Sequence, residues 1–283
     1  MAIGGVLTAM VTPFDADGQV DEAAAVALMH HLLDNGSDGL VLAATTGEGS
    51  TLTDEEKVRL WELAVAEVGE EAYLVAGTGS NDTAHTVHLT EKATEIGVDA
   101  HIAVCPYYNK PNRRGLIAHY TAVAAATDRP VILYNIPSRC VIDMDNDLLR
   151  ELGQIEHIDA VKQARNEDIA AIDGLDLLAG NDDKLAEVMD AGGTGGILVS
   201  SHLVGPEMRR MIDEPDARRE LHEQYKDLFA AMFITSSPTP MKAALGMLGI
   251  QVGGLRLPMV EASDEERATI RTALERHGLL SAV

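Results

Sequence analysis

Eight short apolar runs recur along the 283-residue chain, at 5–11, 38–44, 73–79, 100–107, 130–137, 158–163, 175–181 and 195–200. They are rich in Val, Ile and Leu and do not alternate with polar residues. That is the pattern of parallel strands covered on both faces. Longer amphipathic stretches separate them, with helix start and stop signals. Thr53-Asp54-Glu55-Glu56 reads as a capping box, a threonine N-cap with glutamate three residues on. Asn81-Asp82-Thr83 and Asn181-Asp182-Asp183 put side-chain acceptors at two further helix starts. Gly36 and Gly97 stand where helices stop.

This alternation predicts a (β/α)8 TIM barrel, a fold of about 250 residues. An open doubly wound sheet is the alternative, since the same rhythm would serve it. Beyond about residue 220 the pattern is helix only, in "RELHEQYKDLFAAMF", "PTPMKAALGMLG" and "SDEERATIRTALERHG". The expected organisation is a catalytic barrel over 1–220 and a helical C-terminal extension over 221–283. No Gly/Ser-rich linker separates the two, so the extension is expected to pack on the barrel.

Composition narrows the function classes. At 46% hydrophobic and 24% charged the chain is globular, not disordered. A formal net charge of −23 repels nucleic acid and anionic membrane surfaces, so neither is an expected partner. No run of 18 apolar residues suggests a membrane span. The start of the chain lacks a basic n-region, and its apolar run stops at Pro13. With only Cys105 and Cys140 there is no disulfide framework, and a cytoplasmic location is expected.

In a barrel the chemistry sits at the C-terminal ends of strands. There the chain places Thr45, Thr46, Gly47 and Glu48 after the second run, Tyr107 and Tyr108 after the fourth, and Tyr134 and Arg139 around the fifth. Of seven lysines only Lys162 lies inside an apolar run, "IDAVKQA". A buried lysine either pairs its charge or loses its proton, and a neutral amine attacks a carbonyl to make an imine. Both readings stay open from this residue alone. Tyr134 offers a phenol for proton transfer or simple packing. Arg139 offers a bidentate carboxylate clamp or a surface charge. Thr45 and Thr46 offer hydroxyls and amides for a small carboxylate, or ordinary turn chemistry. Glu48 offers an acid, a base or a brace for the loop.

Other motifs lead nowhere. "GTGSND" lacks the third glycine of a dinucleotide fingerprint. His85 and His88 have no carboxylate–histidine cluster that would make a metal site, and read as solvated helix residues. His30 and His31 face different sides of a helix. "GGTGG" at 192–196 reads as a tight turn before the eighth strand.

Taken together, "TTGE" after the second strand, "YNIPSR" at the fifth and "VKQA" at the sixth resemble the pyruvate-dependent Schiff-base lyases, the class I aldolase/N-acetylneuraminate lyase family. The resemblance covers nearly the whole chain, including "SHLVGPEM" and "PTPMKAALGMLG". It implies a pyruvate imine on Lys162, with no metal and no organic cofactor. It makes Tyr134 the proton-transfer tyrosine and Thr45 a relay hydroxyl. Thr46 would hold the pyruvate carboxylate, and Gly180 and Ile197 would be backbone positions near pyruvate. Tyr108 would complete the relay in a neighbouring subunit, implying a homo-oligomer, usually a dimer of dimers. Arg139 would receive the carboxylate of a second substrate, aspartate 4-semialdehyde, in lysine/diaminopimelate biosynthesis. Sialic acid lyases tend to carry serine for the first threonine and to lack this arginine. Other family lyases acting on keto-deoxy sugar acids, and a non-catalytic pyruvate binder, remain alternatives; a metal-dependent barrel aldolase is a third.

Two departures stand out. The family usually has Thr-Gly after the arginine, where this chain has Cys140-Val141. A regulatory site at the dimer interface corresponds to Ser50, Asn81, His85 and Tyr107. Lysine-sensitive members have an acidic residue at the position of His85, so weak or absent lysine inhibition is expected.

Overall fold

The eight apolar runs become eight parallel strands that close on themselves. In the computed structural model, which describes residues 3–165 and 167–281, these are β1 (Gly5–Ala9), β2 (Gly39–Leu42), β3 (Tyr73–Gly77), β4 (Ala100–Val104), β5 (Val131–Asn135), β6 (Ile158–Gln163), β7 (Asp176–Ala179) and β8 (Gly195–Leu198). They pair in sequence order, and β8 returns to β1, so the open-sheet alternative is excluded. Gly195 lies at this closure; a Cβ there would stand 2.2 Å from the Gly5 carbonyl oxygen. "GGTGG" is therefore only partly a turn, since its last two glycines are strand.

Helices alternate with the strands. They are α1 (Glu22–Asp34), α2 (Asp54–Val68), α3 (Thr83–Ile96), α4 (Arg113–Ala124), the single turn α5 (Pro137–Cys140), α6 (Asn146–Leu152), α7 (Leu185–Asp190) and α8 (Ser201–Asp213). The capping box on α2 forms as read, with Thr53 Oγ1 accepting from Glu56 N and Glu56 accepting from Thr53 N. Asp82 caps α3, and Gly97 ends it in the left-handed region at φ 99°. Then come α9 (Pro215–Ala231), α10 (Thr239–Met247) and α11 (Asp264–Arg276). Of these, α9 lies against α7 and α8, and α11 lies against α9 and α10.

Most apolar runs outlast the strands they form. Their last residues, such as Ala43-Ala44 and Cys105, turn over the C-terminal rim and remain largely buried. At the opposite rim, aspartates secure the strand starts. Asp38, Asp99 and Asp176 accept the backbone N–H of Val6, Leu74 and Ile3 at 2.7, 2.7 and 2.6 Å. Between β5 and β6 the register slips by one residue. Val131 pairs with Ile158 but Ile132 with Ala160, leaving Asp159 as a bulge. The slip sets Lys162, not Val161, level with Tyr134.

Among the described residues, no helix is long and apolar enough to cross a membrane.

Three buried histidines make the fold acid-sensitive. His101, His119 and His202 are each held down to about 4, in every case chiefly by burial. Coulombic repulsion from Arg129 adds to this at His101 and from His31 at His202, while Asp128 opposes it at His101, Asp82 at His119 and the Val199 carbonyl at His202. The unfolded chain takes up these protons near the ordinary histidine value, and the folded chain does so only near 4. The stability of the neutral form is therefore complete above the unfolded value and lost as pH falls toward 4. Lowering the pH from 7 to 5 is expected to cost about 2 kcal/mol per histidine. Urea midpoints at the two pH values check it; equal midpoints would mean that these rings are not buried neutral.

Candidate active site

The C-terminal rim gathers most of the residues singled out from the sequence. Lys162 and Tyr134 are partners across β5 and β6, and the Lys162 Nζ lies 4.3 Å from the centroid of the Tyr134 ring. Both are almost fully buried, at 5% exposure each. The Thr45 side chain, on the turn after β2, stands near enough to the Tyr134 phenol to favour its ionised form. Thr46 beside it is buried. Arg139, on α5, is exposed at the mouth, close enough to act electrostatically on both Lys162 and Tyr134.

The electrostatics separate Lys162 from the other lysines. Three lysines are buried: Lys57, Lys162 and Lys242. Lys242 pairs with Glu48 at 2.7 Å, and Lys57 stands 3.9 Å from Asp54. Lys162 makes no ion pair among the described residues. Burial lowers its ammonium to about 8; the Asp182 carboxylate opposes this and the Arg139 guanidinium reinforces it. Near neutral pH a useful fraction of the amine is therefore free to act as a nucleophile. Burial pushes the Tyr134 phenol up to about 12, against the pull of Arg139 and the Thr45 hydroxyl. It stays protonated, a donor able to hand a proton on and be refilled through Thr45.

A cavity of about 420 Å³ opens beside Tyr134, and Lys162, Thr46, Gly180 and Ile197 are not among the residues that line it. Thr45, Tyr134, Arg139 and Cys140 line one part of it, and Ser50, His85 and Tyr107 another. Asn81 is half-buried nearby, its carbonyl accepting from the Asn109 amide at 2.7 Å. His85 is not a free solvated residue, because its Nε2 lies 2.9 Å from both oxygens of Asp54. Gly180, just after β7, is pressed against Gln163, whose carbonyl carbon and oxygen would lie 2.8 Å from an added Cβ. Ile197 is fully buried in β8. Tyr108 is not part of this chain's pocket: it is 89% exposed and projects from the loop after β4 with φ 71°.

Asp182 was missed. Asn181-Asp182-Asp183 reads as three interchangeable cap residues, but Asn181 caps no helix through its side chain. The Asp182 carboxylate turns inward instead, accepting from Val199 N at 2.9 Å and Ser200 N at 2.6 Å. A 3₁₀ turn over Asp182–Lys184 redirects it, and no local pattern distinguishes that from an ordinary helix start. Burial raises this carboxyl despite its hydrogen bonds from Ser200 and Val199 and the attraction of Lys162. His202 was also missed. With Nδ1 donating to Val199 O at 2.7 Å and Nε2 accepting from Val11 N at 3.2 Å, it ties the ends of β8 and β1 together as a neutral ring. Among the described residues, no group of three or more His, Cys, Asp or Glu could hold a metal ion.

Comparison with known proteins points to a single family. The model of the dihydrodipicolinate synthetase family matches residues 2–277. The chain is 44% identical to the 4-hydroxy-tetrahydrodipicolinate synthase of Moorella thermoacetica, over 99% of this chain and all of that one. A dihydrodipicolinate synthase from Bacillus anthracis superposes with a TM-score of 0.93 at 39% identity, covering 97% of this chain and 99% of the other. The Acinetobacter baumannii dihydrodipicolinate synthase complexed with pyruvate gives a TM-score of 0.95 at 32% identity, covering 99% of this chain and 100% of the other.

Proposed function

The chain belongs to the dihydrodipicolinate synthetase family, and from that membership we propose that it condenses pyruvate with L-aspartate 4-semialdehyde to 4-hydroxy-tetrahydrodipicolinate, through an imine on Lys162. The observation that carries the residue assignment is the buried amine lying over the ring of a tyrosine whose phenol is influenced by the neighbouring Thr45 hydroxyl. The pyruvate bound by the Acinetobacter baumannii relative supports the first substrate.

The steps follow from these groups. The neutral Lys162 amine adds to the pyruvate ketone, giving a carbinolamine. Tyr134 donates a proton to its oxygen, water leaves and the imine forms. Thr45 and the partner subunit's Tyr108 then restore the phenolic proton from solvent. Thr46 holds the pyruvate carboxylate beside the backbone at Gly180 and Ile197. The protonated imine withdraws electrons, so a methyl proton is lost and an enamine results. Its carbon adds to the aldehyde, whose carboxylate rests on Arg139. The distal amine displaces Lys162 and closes the ring, freeing the lysine for another turn. The covalent lysine supplies the electron sink that an organic cofactor would otherwise provide.

An exposed Tyr108 suits a chain that lends this side chain to its neighbour, so we assign a homo-oligomer built on a dimer.

Trapping by borohydride tests the reading. Pyruvate plus borohydride should add a reduced pyruvate to Lys162 alone. The free amine is the reacting form, so the trapping rate should rise about tenfold per pH unit below 8 and level off above it. No adduct at Lys162 would end the imine mechanism. An adduct without turnover of aspartate 4-semialdehyde would point to another aldehyde, with exposed Val141, in the left-handed region at φ 68°, the first place to look.

Weak lysine inhibition follows from the far part of the cavity. An ε-ammonium needs a free carboxylate, and the Asp54 carboxylate is already engaged by His85, with Lys57 3.9 Å away. Millimolar lysine should leave turnover nearly unchanged; half-maximal inhibition below 1 mM, a concentration about tenfold lower than such a weakened site allows, would overturn this.

A further inference from the structure

The turn carrying Thr45 and Thr46 is flanked by two non-glycine residues in the left-handed region, Ala43 at φ 55° and Glu48 at φ 54°. Such conformations persist only where the surroundings impose them. Within the turn, Glu48 N donates to Thr45 O at 3.1 Å and Gly49 N to Ala44 O at 2.9 Å. The Thr12 hydroxyl donates to Gly47 O at 2.6 Å.

The strongest constraint comes from about 200 residues further along the chain. The Glu48 carboxylate is buried, with Oε1 2.7 Å from Lys242 Nζ of α10 and Oε2 accepting from Arg256 N at 3.0 Å. Lys242 also donates to Gly254 O at 2.6 Å. The Arg256 guanidinium spans the other side, donating to Thr51 O at 3.0 Å, to Gly18 O at 2.8 Å and to both oxygens of Glu56 at 2.7 and 2.6 Å. The Phe14 ring packs against both cations, 4.1 Å from Lys242 Nζ and 4.5 Å from Arg256 Cζ. Further parts of the C-terminal chain, Ser237, Pro258 and Met259, line the same cavity as Thr45.

We propose that Lys242 is a positioning residue for the reaction, acting through Glu48, which the Arg256 backbone N–H also holds, to keep the two-threonine turn in its left-handed shape. It does not itself touch substrate. The helices after the barrel are thereby part of the catalytic apparatus, because they fix where the Thr45 hydroxyl meets Tyr134. This inference rests on the imine chemistry proposed above and adds the device that orients its proton relay. A merely structural ion pair would behave otherwise, altering how much protein is folded and leaving each folded molecule fully active.

Three variants separate the possibilities: Lys242→Arg, Lys242→Met, and Lys242→Met combined with Glu48→Gln. The last leaves no uncompensated buried charge, so its fold is protected where Lys242→Met alone unfolds. Each is compared with wild type for folded fraction by circular dichroism, melting midpoint, kcat and KM for pyruvate, and single-turnover borohydride trapping. A misplacement near 1 Å costs about 100-fold in rate. The double variant should melt near the wild-type temperature yet trap pyruvate about 100-fold more slowly. Lys242→Arg, which keeps the charge, should recover to within about tenfold of wild type. Wild-type trapping and kcat in the double variant, or activity that only tracks the folded fraction, would overturn the proposal. Failure of wild type itself to trap pyruvate would instead remove the functional reading.

Discussion

Replacing Lys162 with alanine is expected to lower turnover by more than about 10⁴-fold while leaving the barrel intact, since the proposed imine is made by this amine. The remaining rate would reflect binding and orientation alone. A methionine at the same position makes the sharper experiment. It fills the volume of the lysine stem without burying a charge. The wild-type ammonium is held at about 8 in the fold, below its value in the unfolded chain. The folded state therefore takes up that proton at a cost, on the order of 3 kcal/mol at pH 7, which disappears as pH rises through the unfolded value. Lys162→Met should be inactive and more stable than wild type at neutral pH, with the stability gap closing by about pH 10.5. A variant that is inactive and also less stable would show instead that the lysine is a paired structural residue. Turnover is read by coupling to the next reductase and following NADPH, and stability by urea midpoints.

The second large effect is expected at Tyr134. Its phenylalanine variant keeps the ring that covers Lys162 and removes only the hydroxyl beside Thr45. Loss of a positioned proton donor costs about 10²–10⁴-fold. The loss should fall on kcat, with KM for pyruvate changed little, because the phenol serves the carbinolamine more than the bound ketone. The level region of the trapping profile above pH 8 should drop by the same factor as kcat. A variant with normal kcat would assign Tyr134 to packing alone.

The parts of this molecule that were legible in the sequence are those set by local or periodic physics. Strands buried on both faces cannot alternate in polarity, so their positions showed. The Thr53 capping box and the left-handed stop at Gly97 are made by residues within one turn of each other, and both formed as read. Lys162 stood out because a charge inside an apolar run demands a reason. The resemblance then supplied roles that Tyr134, Arg139 and the threonines do not announce one at a time. What stayed hidden depends on contacts far apart in the chain. Lys242 sits in an ordinary helical pattern, and nothing around it tells that its partner is Glu48. Asp182 shares its surroundings with two other cap-type residues, and only the close approach of β8's end turns it inward. His85 read as solvated because its partner Asp54 lies on a different helix.

The extra residue at Asp159 has a consequence for anyone who would rebuild this chemistry elsewhere. The vertical alignment of amine and phenol is decided three residues below Lys162, near the floor of the barrel. A graft that counted residues upward from Ile158 along a regular strand would seat Val161 opposite Tyr134 and turn the lysine toward the outer helices. The transferable unit is therefore the upper register, from Ile132 paired with Ala160 to Asn135 paired with Gln163, and it has to be counted from the rim downward, because the spare residue lies below it.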